Sequence, residues 1–311
     1  MKKILIVLVA MMFLFTAVQA MAESEFRIST PTGAPAIALS GIYAENPDAV
    51  NVIGTDKISE AFTIPEADFV VAPVNAGAKL YKAGKSTYRL AAVITWGNLV
   101  FAGRGEELTP EMISERKLVL FGNQTLNYSI AMFLLEKKGI VPAEIGDPLG
   151  DAAETQALLT NEEEAATIVL TAEPAATALK IKAKTSDITI STFPLNDLYK
   201  DVTGYDGFPQ AGVFVKEETA AENPELVKTV LEKIKASAEL CESNPEAVAK
   251  TVVEDMEILK AEAVVLKALP GCSIRYVDAL EAKEQVEYAA QIDLAQFGGE
   301  LPADDFYYEA K

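Results

Sequence analysis

Hydrophobic and polar positions along the chain follow one recurring order. A short apolar run comes first, then a polar loop with Gly, Pro or Asn, then a longer stretch of helical periodicity. Residues 26–29 read as a first strand, PTGAP breaks it, and residues 36–45 follow as a helix. Residues 50–53 are a second strand, and residues 59–67 a short helix and turn with Ser59 as N-cap. The run DFVVA at 68–72 suits a parallel strand covered on both faces. PVN interrupts it, and residues 76–84 form a helix stopped by Gly84. Residues 88–102 are rich in β-formers, with a Gly-Asn turn signal at 97–98, and Gly103-Arg104-Gly105 marks a boundary.

The order then restarts. Thr109-Pro110-Glu111 opens a helix with proline at its first position. Strands are expected at 117–121, 166–170, 188–190, 211–215 and 273–277. Helices are expected at 128–139, 151–165 and 175–184, and in the long segments 223–244, 244–256, 257–269 and 283–297. Strands alternating with helices predict an α/β protein with mostly parallel sheets.

The first residues break this pattern. Lys2 and Lys3 precede an apolar run over residues 4–18, and Ala20-Met21-Ala22 has the form of a cleavage site. A charged start, a run too short to span a bilayer and small residues at its end predict a secretory signal peptide removed near Ala22. No cysteine sits at that site, so a free protein of the periplasm is expected, without a lipid anchor.

Composition narrows the chemistry. The formal net charge is −19, and cleavage would take two positive charges with it, so nucleic acid and anionic membranes are poor partners. There is no histidine, which removes Ser-His-Asp and Cys-His catalysis and His-containing zinc sites. Cys241 and Cys272 are too few for a cysteine-only metal site. An oxidising compartment permits a bridge between them, and two buried free thiols are the alternative. No cofactor and no metal are expected.

Four segments carry a resemblance to a known family: PTGAPAIAL after the first strand, ADFVVAPVNAGAKLYKAG, ATIVLTAEPAATAL, and the ending FGGELPADDFYY. In this order, behind a signal peptide, the chain resembles the periplasmic substrate-binding proteins of ABC importers. It is similar to the branch associated with nitrate, sulfonate, taurine and thiamine-precursor uptake (NitT/TauT-like). The resemblance implies a two-lobed, type II periplasmic-binding-protein-like fold with the ligand cleft between the lobes. Residues 26–102 and 211–311 would form lobe 1 and residues 103–210 lobe 2, with crossings at the GRG break and at FPQAG. It further implies a monomer that closes around a small solute and is read by a permease in the inner membrane.

In open α/β sheets, ligands sit beyond the carboxyl ends of the strands, where helix N-termini point. That rule selects Thr32, Gly33 and Ala34; Asn75; Trp96 and Asn98; Asn123, Gln124 and Thr125; and Glu173. The resemblance selects the same positions. None of these loops contains Lys or Arg. They would suit an anion held by backbone N–H groups, an uncharged polar solute, or a flat ring on Trp96 with Glu173 bonding a ring amine. Each residue has a plainer role open to it: core packing for Trp96, an N-cap for Asn75, a surface position for Glu173, and a simple turn for 123–125. Tyr205, Phe208 and Gln210 lie beside the second crossing, and Phe306, Tyr307 and Tyr308 read as a tail clamped onto lobe 1. The expected function is capture of a small polar or anionic solute for ABC import. A ligand sensor for a membrane receptor and an enzyme on the same scaffold are the alternatives.

Overall fold

The computed structural model describes residues 25–310 apart from Gln124. The expected signal peptide and Gln124 lie outside the described residues. In chain order the elements are β1 (Ile28–Pro31), α1 (Ala34–Ile37), α2 (Ser40–Glu45), β2 (Val50–Ile53), α3 (Ile58–Thr63), β3 (Phe69–Pro73), α4 (Val74–Lys82), β4 (Tyr88–Thr95) and β5 (Leu99–Arg104). β6 (Lys117–Val119), α5 (Leu126–Lys138), β7 (Glu144–Ile145), α6 (Ala152–Leu158), β8 (Ile168–Ala172), α7 (Ala175–Lys184), β9 (Ile190–Pro194) and α8 (Leu195–Thr203) follow. The last part holds β10 (Ala211–Lys216), α9 (Glu217–Glu222), α10 (Pro224–Ser243), α11 (Pro245–Lys250), α12 (Glu262–Ala268), β11 (Ile274–Asp278) and α13 (Ala279–Ile292).

The strands form two sheets. The first has the order β11-β4-β10-β3-β1-β2, the second β7-β6-β8-β5-β9. β1, β2 and β3 run parallel, as do β6, β7 and β8, each strand followed by a helix that returns the chain. The antiparallel pairs involve β4, β5 and β10, the strands on either side of the chain's passage between the sheets. The architecture is α/β with two mixed sheets, each flanked by helices.

The first passage lies at residues 96–98, earlier than the expected GRG break. β5 pairs with β8 and β9 over its whole length, so Leu99 already belongs to the second sheet. Gly103 lies within that strand, and Gly105 (φ +130°) turns the chain at its far end. The apolar run 88–102 reads as continuous because both sheets bury it. Other elements also shift. Ser59 lies inside α3, not at its cap; Pro110–Glu115 is a 3-10 turn; and β9 runs to Pro194, beyond the expected 188–190.

Burial explains the strand composition. Phe69, Val70, Val71 and Ala72 are each 0% exposed, because helices cover both faces of the first sheet. One apolar cluster joins Val70 and Val93 of this sheet to Phe101, Leu118 and Leu170 of the second through Trp96 and Phe208. A second cluster lies under α10 on the opposite face. Cys272 is fully buried and Cys241 partly so, both as free thiols. Burial raises both, Cys241 to about 12, so neither ionises readily.

The C-terminal segment docks on the first sheet. Tyr308 donates its N–H to Leu90 O at 2.7 Å, and Arg89 Nη2 donates to Tyr307 O at 2.9 Å. Phe306 is 1% exposed, against Tyr81, Phe214 and Tyr307. Phe306→Ala is expected to lower the unfolding free energy by about 3–5 kcal/mol, as for other buried phenylalanines, measured by urea denaturation.

Candidate ligand-binding cleft

Strand register decides which loops can meet. Thr95 ends β4 beside Ala211, which opens β10 opposite Pro73 at the end of β3. β1 lies parallel to β3, so its end at Thr32 leaves the sheet on the same side. In the second sheet Leu99 opens β5 opposite Ala172, the end of β8, and β6 ends alongside. All five loops selected from the sequence therefore leave the sheets at the ends that the two crossings join.

The crossings form a tight hinge. Gly97 (φ +79°) and Gly207 (φ +152°) lie in the first and second crossing. A Cβ on Gly207 would fall 2.2 Å from Trp96 O, and one on Gly97 2.6 Å from the Phe208 ring. The two chain segments thus touch where side chains would hold them apart. Asn196, in the first turn of α8, clamps the site. Its Nδ2, with two protons to give, donates to Trp96 O and Gly97 O, each at 2.8 Å, and lies 3.1 Å from Ser273 Oγ.

Trp96 belongs to this hinge. It is 1% exposed, its indole N–H donates to Arg275 O at 2.9 Å, and the Arg275 guanidinium lies 4.6 Å from the ring centroid. Arg275 stands on β11, the neighbour of β4 in the first sheet. The ring of Trp96 is therefore buried within the hinge, held to β11 by its indole N–H.

Asn98 turns the other way, after the left-handed Gly97. Its N–H is held by Gln210 Oε1 at 2.9 Å, its side-chain Nδ2 donates to Glu173 O, and Glu173 N–H donates back to Asn98 O at 2.8 Å. Gln210 O in turn accepts the N–H of Val74, the first residue of α4. One bonded chain thus runs from α4 through Gln210 and Asn98 to Glu173, linking both sheets.

Glu173 is 7% exposed. Its carboxylate folds back on the first turn of α7, accepting Thr177 N–H at 3.0 Å and Thr177 Oγ1–H at 2.9 Å. Burial raises its carboxyl pKa; these two bonds and the charge of Lys180 offset part of that effect. Across the gap, a Cβ on Gly271 would lie 2.9 Å from Glu173 Cγ, so the glycine lets Glu173 seat against the first lobe. α7 and α12 pack together beside this contact. On the other flank, Ser129 Oγ–H donates to Asp293 at 2.6 Å.

The remaining positions are less uniform. Asn75 is half-buried at the second residue of α4, and Pro73, not Asn75, occupies the cap position. Thr125 caps α5, donating to Gly122 O at 2.6 Å and accepting Tyr128 N–H at 3.5 Å. Thr32 and Asn123 are exposed, and Gly33 (φ +97°) borders open space. Ala34 is 1% exposed among Ile37, Val248 and Val265, which leaves only its backbone to the cleft. The structure therefore joins Asn98 and Glu173 directly and assigns Trp96 and the Ala34 methyl to packing. Asn196 escaped the strand-end rule because β9 ends later than its sequence pattern suggests. A hollow of about 680 Å³ on the second lobe lies away from these loops, and its Lys138 and Asp201 are paired with each other.

No family model matches the sequence, and no curated protein matches it. Solved structures do. An ABC transporter structure from Parabacteroides distasonis superposes with a TM-score of 0.75 at 22% identity, over 92% of this chain and 99% of that one. The periplasmic aliphatic sulphonate binding protein SsuA of Escherichia coli gives 0.67 at 13% identity, over 92% of each chain. The periplasmic nitrate-binding protein NrtA of Synechocystis gives 0.61 at 11% identity, over 90% of this chain and 83% of that one. The chain has the two-lobed fold of periplasmic binding proteins.

Two outcomes follow from this geometry. Gly207→Ala must separate the crossings; it should cost about 1–3 kcal/mol, as overpacking does, and change the radius of gyration measured by small-angle scattering. The raised carboxyl of Glu173 means that the folded state holds its proton more tightly than the unfolded chain, whose value is near the ordinary 4.5. The associated stability is complete below pH 4.5 and is lost as pH rises through the folded-state pKa. Denaturation of wild type and Glu173→Gln across pH should show their difference moving in favour of glutamine over that window, then levelling.

Proposed function

We propose that this protein is the extracytoplasmic solute-binding component of an ABC import system, capturing a small polar solute between its lobes and presenting it to a membrane permease. The carrying observation is the hinge: two crossings pressed together at Gly97 and Gly207, with polar loops from both sheets gathered in front of them. Such a joint permits rigid-body closure, and the bonded chain from α4 through Gln210 and Asn98 to Glu173 supplies groups that a solute would bridge. The likeness to sulphonate- and nitrate-binding proteins supports the same reading.

The loops selected for ligand contact are Asn98 and Glu173 at the centre, Asn75 and Thr125 at helix starts, and Thr32, Gly33 and Asn123 at the rim. The N-terminal segment fits export to the periplasm, and no described helix is long and apolar enough to cross a membrane. The chemistry is retention, not turnover; a chain without histidine would need another base for catalysis.

The chain carries a single tryptophan, and it stands in the hinge. Solute binding is therefore expected to change tryptophan emission, with compaction in small-angle scattering and a raised melting midpoint. A hundredfold excess over Kd corresponds to about 2.7 kcal/mol of stabilisation. Persistent absence of all three signals across sulfonates, nitrate, amino acids and aminopyrimidines would overturn the reading.

A further inference from the structure

On the reading of the cleft as a solute site, we infer that the bound solute presents an N–H donor, as an ammonium or an amino group on a ring, to Asn98 Oδ1 and the Glu173 carboxylate.

The orientation of Asn98 is fixed. Its Nδ2 donates to Glu173 O, so reversing the amide would set two carbonyl oxygens against each other. Its backbone N–H is taken by Gln210 and its backbone carbonyl by Glu173. The remaining group, Asn98 Oδ1, is buried and has no hydrogen-bond partner within the protein. It is thus an acceptor at the junction of the two sheets that the chain itself leaves unpaired, as is Asn196 Oδ1 in the hinge.

The adjoining residue adds negative charge. Glu173 is bonded to Asn98 through two hydrogen bonds and carries a carboxylate at the start of α7. A helix N-terminus ordinarily attracts anions, but here the chain's own carboxylate already occupies that position. Both its oxygens accept from Thr177, and each retains a lone pair. No Lys or Arg lies in the five loops at the strand ends. The named cations nearby are engaged: Lys180 donates to Thr192 Oγ1 at 3.1 Å, and Arg275 lies over the Trp96 ring.

These groups sort the candidate solutes. Nitrate and unsubstituted alkanesulfonates offer acceptors alone; they would leave Asn98 Oδ1 unpaired and bring a second anion towards Glu173. A solute with an N–H donor pairs the first group and complements the second. An anionic tail on the same molecule can still reach the N–H groups at the starts of α4 or α5. Sites built to hydrogen-bond one substrate group discriminate strongly against analogues that lack it.

Matched probes test this on the mature chain by calorimetry and thermal shift: taurine against ethanesulfonate, 4-aminopyrimidine against pyrimidine, and nitrate alone. The expected result is at least tenfold tighter binding of an aminated member over its partner in wild type. Glu173→Gln, which keeps the shape and one acceptor, should reduce that preference at least tenfold. The wild-type comparison stands even if the variant fails to fold. Ethanesulfonate, pyrimidine or nitrate binding as tightly as the aminated probes would overturn the inference and leave the solute-binding function intact. Binding of no probe, with no compaction, would overturn both.

Discussion

The close contact of the two crossings is the constraint on which the rest of the molecule depends. Gly207 lies so near Trp96 O that any side chain would push the segments apart, and Asn196 ties two peptide oxygens of the first crossing to α8. Holding the crossings together sets the facing edges of the sheets opposite one another. It also allows one apolar cluster to run from Val70 to Leu170 through Trp96 and Phe208. Two lobes that share such a seam can rotate about it, but they cannot separate without exposing that apolar surface to water.

The polar side of the hinge follows from the same arrangement. Asn98 stands one residue beyond a left-handed glycine and faces away from the Trp96 cluster, towards β8 and β10. Its bonds to residues 75 and 112 positions away join both crossings to the loop that carries Glu173. Glu173 then reaches the first lobe, where Gly271 leaves room for it. A buried carboxylate against a facing glycine is a sensitive place for charge: burial raises the carboxyl pKa, and the Thr177 donors and the charge of Lys180 offset part of that cost. The same feature therefore links lobe contact and protonation.

Much of the fold was legible along the chain because its signals are local. Alternating apolar runs and amphipathic stretches located nearly every strand and helix, and the strand-end rule reached Asn98 and Glu173 without knowledge of their contacts. The misplaced features have a common cause. The GRG break looked like a boundary because glycines end strands as readily as they end lobes, whereas the real passage at 96–98 interrupts an apolar run that both sheets bury. Asn196 was missed because β9 carries Ser, Thr and Pro on partly exposed positions, so its end left a weak apolar signal.

By itself the sequence determined the α/β class, the order of elements and the absence of histidine chemistry. These depend on periodicity and residue type, which neighbours in the chain settle. Only the tertiary structure decided that Trp96 is buried in the hinge against Arg275, that the Ala34 methyl is core, and that Asn98, Gln210 and Glu173 form one bonded unit. Those outcomes depend on strand register and on the turn at Gly97, and register is set by packing between segments far apart in the chain.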